Sequence, residues 1–101
     1  MVSKILAALL WISEAQALPA QHTIVIETMK YSPQTLTVHA NDSIIWVNKD
    51  LFPHTVTADH KTFNSKIIDA GKSWKYIARK KGHFFYHCDL HLQMKAEIRV
   101  Q

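Results

Sequence analysis

From His22 onward, the apolar residues of this chain fall at every second position, in short runs separated by turn chemistry. Ile24 and Ile26 alternate with Thr23, Val25 and Glu27, and Leu36 and Val38 share one side of residues 34–39. Successive side chains of an extended strand point to opposite sides, so a two-residue period lays one apolar face on a core. Beyond residue 17 no stretch sustains the 3.6-residue period of a packed helix. The pattern predicts strands at 22–28, 34–39, 43–48, 54–58, 74–78, 83–88 and 96–100. In 43–48, Ile45 and Val47 oppose Ile44 and Trp46, so both faces are apolar. Residues 63–70, with Ile67-Ile68, read as either a strand or an irregular loop. Breaks fall at Ser32-Pro33, at Ala40-Asn41-Asp42, where Asn tolerates positive φ, and at Arg79-Lys80-Lys81-Gly82. Seven or eight short strands at near-regular spacing predict an all-β sandwich or barrel.

The N-terminus reads differently. Lys4 is a positive leader, Ile5 to Ile12 an apolar run, and Ala15-Gln16-Ala17 an A-x-A cleavage site. The run is far shorter than the ~20 residues that span a bilayer, so it predicts a cleaved signal and no stable membrane anchor. Residues 1–17 are therefore assigned to the signal, with cleavage after Ala20 as the alternative, and 18–101 to one small domain. Export brings oxidising conditions, yet the chain has one Cys. That thiol is buried, intermolecular or claimed by a metal. The net charge of +4 is unchanged by cleavage, because Lys4 and Glu14 leave together. Such mild basicity, with no aromatic-interleaved basic stripe, gives no support for nucleic-acid binding.

The lone Cys stands in the pattern Cys88-x2-His91-x2-Met94, and His54 lies upstream in Phe52-Pro53-His54-Thr55-Val56. Taken singly, each has an ordinary explanation. The chain has seven His; a free Cys is usually a small buried hydrophobe, and a Met beside the last strand is usually core. Together they supply a thiolate, two imidazoles and a thioether in spacings that a tight loop can close. Two His and one Cys in a trigonal set, with a weak axial Met, select blue copper. Alternation sends Cys88, Tyr86 and Phe84 to one face and His87, Phe85 and His83 to the other. Residues 89–95 then connect the last two strands at one end of the sandwich, and 43–48 must deliver His54 to that end. The Arg79-Lys80-Lys81-Gly82 turn falls at the opposite end.

These residues resemble the cupredoxins, in particular the small plastocyanin-like and amicyanin-like blue copper proteins. The marks are Met29-Lys30-Tyr31-Ser32-Pro33, Leu36-Thr37-Val38, Trp46-Val47-Asn48-Lys49-Asp50, Pro53-His54-Thr55-Val56, Gly71-Lys72-Ser73-Trp74 and residues 82–94. The two-residue gap between His91 and Met94 is the short, amicyanin-like ligand loop. Three positions depart from the pattern: Asn41 stands where Gly is usual, Leu92 where Pro commonly follows the second His, and Ala96 where Gly often follows the loop. The resemblance implies a cupredoxin-like Greek-key β-sandwich holding one type 1 copper per chain. It implies His54, Cys88 and His91 as strong ligands and Met94 as the axial one. It further implies that the Thr55 N–H donates toward the Cys88 sulfur, and that Asn48 ties the His54 loop to the ligand loop. His22, His39, His60, His83 and His87 are read as non-ligating.

The function expected is that of a soluble, monomeric, periplasmic one-electron carrier rather than an enzyme. Its redox protein partners would dock at an apolar patch around His91, made by Leu51, Phe52, Pro53, Leu90 and Leu92. The alternative is a copper-delivery protein with exchangeable metal. That reading is weakened because Met29 is the only Met outside the signal and the ligand loop.

Overall fold

The computed structural model describes residues 18–101; the signal assigned to residues 1–17 lies outside the described residues. Eight strands build the described part: β1 (Gln21–Glu27), β2 (Lys30–Ser32), β3 (Thr35–Val38), β4 (Ser43–Asn48), β5 (Thr57–Ala58), β6 (Ser73–Ile77), β7 (Gly82–His87) and β8 (Lys95–Val100). They form two four-stranded sheets, ordered β2-β1-β4-β6 and β3-β8-β7-β5. β1 runs parallel to β4 and β3 parallel to β8, and the other neighbours are antiparallel. The all-β expectation holds, and the sheets enclose one apolar interior.

The two-residue period explains which faces meet. In β4, Ile44, Trp46 and Asn48 are buried while Ser43, Ile45 and Val47 are half-buried, so only one of its two apolar faces enters the core. From the other sheet come Tyr86, Ile98, Val38 and Val100. Trp46 Nε1–H donates to the Tyr86 hydroxyl at 3.2 Å, a polar contact across the interior that leaves neither group unpaired. The Tyr31 and Tyr86 rings meet edge to face at 4.8 Å, and Phe63 packs between Trp46 and Tyr76. Burial pushes the phenols of Tyr31 and Tyr86 well up, so both stay neutral hydrogen-bonding groups.

Two segments differ from the sequence reading. Residues 30–32 form β2, a strand that the alternation does not predict. The β1–β2 hairpin turns through Thr28 (φ 52°) and Met29 (φ 61°), two left-handed residues without the Asn-Gly signature of such turns. Residues 54–58 are regular only at Thr57–Ala58. His54 instead forms an isolated bridge to Ile68, with His54 N–H to Ile68 O at 3.1 Å and Ile68 N–H to His54 O at 2.7 Å. The 63–70 segment is thus irregular chain, pinned at Asn64 and Ile68. At the end where β4 begins, Asn41 N–H donates to Ala78 O, which places the Arg79–Gly82 turn beside it. β4 and β7 both run from there to the opposite end, where His54 and Cys88 follow them.

Candidate metal centre

Cys88 follows β7 on the inward side of the alternation and is fully buried. The loop after it closes on itself: Cys88 N–H donates to Met94 O at 3.2 Å, and Met94 N–H to His91 O at 2.9 Å. This short circuit turns the Cys-x2-His-x2-Met spacing into a compact knot. It carries His91 to a half-buried position and Met94 to a buried one.

His54 arrives from the other loop. Among the described residues, His54, Cys88 and His91 form a group whose candidate donor atoms all lie within 4.8 Å of one another. Cys88 Sγ is 3.8 Å from His54 Nδ1 and 3.7 Å from His91 Nδ1. An ion ~2.3 Å from a thiolate and ~2.0 Å from an imidazole, with ~120° between the bonds, would set those atoms ~3.7 Å apart. Both sulfur–nitrogen spacings therefore fit an ion shared between the thiolate and each imidazole. A soft thiolate with two imidazoles suits copper.

Thr55 joins the two loops. Its N–H donates to Cys88 Sγ at 3.3 Å, and its Oγ1 accepts from Asp89 N–H at 2.8 Å. Thr57 Oγ1 spends its proton on Asp89 Oδ2 at 2.9 Å, so the Thr55 hydroxyl donates to Thr57 Oγ1 at 2.9 Å. Behind them the Tyr31 hydroxyl donates to Thr55 O at 2.6 Å. Asn48 does something other than its expected part. Its Nδ2 donates to Phe52 O at 2.8 Å and Ile68 O at 2.9 Å, and its Oδ1 accepts from Asp50 N–H at 3.0 Å. It ties the His54 loop to the Ile68 segment, not to the ligand loop. The reason is reach: Asn48 ends β4, whose neighbours β1 and β6 lie in the opposite sheet from β7.

Asp50 escaped the sequence reading. Its Oδ2 lies 2.9 Å from His54 Nε2 and also accepts from Met29 N–H at 2.9 Å. The Met29 N–H, then the His54 contact, hold its carboxyl below the usual range. A carboxylate four positions before a candidate ligand was the available signal. His87, pointing away from Cys88, lies between Asp59 (2.6 Å) and Asp89 (3.0 Å), and chiefly the Asp59 contact raises its pKa. His22 is held by Asp42 at 2.9 Å. In the two loops that carry His54 and His91, Leu51 is 88% exposed, Leu92 66%, Phe52 54% and Leu90 48%, with Pro53 also exposed.

Residues 2–100 match the cupredoxin-like domain family. This chain is a cupredoxin. Amicyanin from Paracoccus versutus is 26% identical over 93 residues, covering 86% of this chain and 70% of that protein. Amicyanin from Paracoccus denitrificans is 24% identical over 81 residues, 75% of this chain and 62% of that one. Among solved structures, a purple cupredoxin from Nitrosopumilus maritimus superposes with a TM-score of 0.74 at 21% identity, over 79% of this chain and 99% of that one. A copper-containing nitrite reductase from Thermus scotoductus gives a TM-score of 0.74 at 22% identity, over 86% of this chain but 23% of that one. At such identities the structural likeness establishes the cupredoxin fold.

Proposed function

We propose that this cupredoxin is a one-electron carrier, exported to the periplasm by residues 1–17, with one copper held by His54, Cys88 and His91 and weakly by Met94. The carrying observation is the convergence of three donor atoms within 4.8 Å, two of the residues fully buried. Bound there, copper would supply a Cu(II)/Cu(I) couple. The chain's part is to keep the donors fixed. His54 is clamped by its backbone bridge to Ile68, and Cys88 and Met94 by the closed loop. The Thr55 N–H accompanies the thiolate and withdraws charge from it. Donors that stay in place minimise rearrangement between oxidation states, which suits electron transfer over metal delivery.

Electrons leave by the half-buried ring of His91, which lies edge-on to Phe52 at 6.4 Å within the exposed apolar patch. A dry apolar contact brings a partner's cofactor near without desolvating charge and suits the small interfaces of redox encounters. The partner is accordingly a redox protein with an apolar docking face. Electron self-exchange of the copper-loaded protein tests this reading. Leu92→Asp should slow it while leaving copper content and spectrum unchanged, and a rate equal to wild type would exclude the patch as the exit.

A further inference from the structure

The His54 ring presents its two nitrogens to different partners. Nδ1 is 3.8 Å from Cys88 Sγ, whereas Nε2 is 2.9 Å from Asp50 Oδ2. The ring is wholly buried and the Asp50 side chain only 12% exposed, so water does not stand in for either contact. A neutral imidazole carries one proton, and an ionised carboxylate can only accept. The proton belongs on Nε2, and the lone pair on Nδ1, aimed into the donor cluster. We propose that Asp50 is the positioning residue of His54: its carboxylate fixes the tautomer that leaves Nδ1 free for a metal, and its charge favours the higher oxidation state of a metal held there. The second half rests on the carrier reading; the first does not.

Asp50 is itself held. Oδ2 accepts from Met29 N–H at 2.9 Å, Oδ1 from Leu51 N–H at 3.2 Å, and its own N–H donates to Asn48 Oδ1 at 3.0 Å. The carboxylate cannot swing from His54 without stranding the Met29 N–H of the left-handed β1–β2 turn. The arrangement thus locks the orientation of a buried ring through a hairpin in the same sheet as β4. A carboxylate accepting the outer N–H of a ligand His makes that imidazole a stronger donor. A stronger donor stabilises Cu(II) relative to Cu(I), so the potential falls.

The test has two readouts. In the copper-free wild type, nitrogen NMR of His54 should show the proton on Nε2; a proton on Nδ1 overturns the proposal. Asp50→Asn can present its amide oxygen to both Met29 N–H and His54 Nε2–H, giving up only the exposed Leu51 N–H contact, and so removes charge while keeping the buried contacts. Voltammetry of copper-loaded Asp50→Asn should give a potential shifted upward at unchanged copper stoichiometry. A potential unmoved or lowered overturns the electrostatic role. Wild type that fails to take up copper would overturn the carrier reading and with it that role, while the tautomer is read without copper.

Discussion

Asn48 makes three hydrogen bonds from one buried amide, and each fixes a piece of chain that precedes or faces His54. Asn48→Ala strips the donor from Phe52 O and the acceptor from Asp50 N–H, while Ile68 O keeps only the His54 N–H. Each buried group left unsatisfied costs about 1–3 kcal/mol, so the variant should lose about 2–4 kcal/mol in urea denaturation. A loss under about 1 kcal/mol would mean that water replaces the amide. The candidate donors were legible in the sequence because their spacing is a covalent fact: a thiol, an imidazole and a thioether within one loop can meet whatever the rest does. Asp50 and Ile68 were not, since their parts depend on how two loops lie against each other. Asn48 was assigned to the wrong loop for the same reason. Residue type announces that an amide will bridge, but only the strand order decides what it reaches.

At the scale of elements, the turns separate what sequence shows from what it conceals. Asn41 takes φ 78° at the turn before β4, so its substitution for Gly keeps a backbone conformation that Asn tolerates. Asn41→Ala should cost about 1–2 kcal/mol, the steric penalty of a left-handed Cβ, whereas Asn41→Gly should be near neutral. Thermal denaturation of the pair checks this, and equal melting points for Ala and Gly would refute it. β2 stayed hidden because Thr28 and Met29 are poor left-handed formers. Their turn is held from outside, by the Asp50 carboxylate on Met29 N–H. The strand expected at 54–58 shrank to Thr57–Ala58 for a related reason. His54 pairs with Ile68 rather than with a neighbouring strand, and no local alternation records such a partner. The long alternating segments, by contrast, were read to within a residue or two, because burial of one face enforces their register.

Across the whole molecule, charge is arranged by end. The end away from the metal centre is fastened by Asp42, whose buried carboxylate accepts from Ala20 N–H at 2.8 Å and His39 N–H at 2.9 Å and meets His22 Nε2 at 2.9 Å. These contacts, the His22 one foremost, lower its pKa from 3.8 to about 2. A carboxyl depressed in the folded state contributes stability above its unfolded pKa and loses it as pH falls through the folded one. Stability should therefore drop as pH goes from about 4 to about 2. Asp42→Asn should be less stable at neutral pH and flatter across that window. An equal acid slope in variant and wild type, measured by urea denaturation at several pH values, would assign the loss to other groups.

The central claim is that His54, Cys88 and His91 hold one copper in a type 1 site, and the visible absorption spectrum of the oxidised, copper-loaded protein tests it most directly. Thiolate ligation in a trigonal site predicts an intense blue charge-transfer band at one copper per chain, abolished in Cys88→Ser because a hydroxyl cannot replace the thiolate. A colourless wild type at full copper loading, or a blue band that survives in Cys88→Ser, would contradict it.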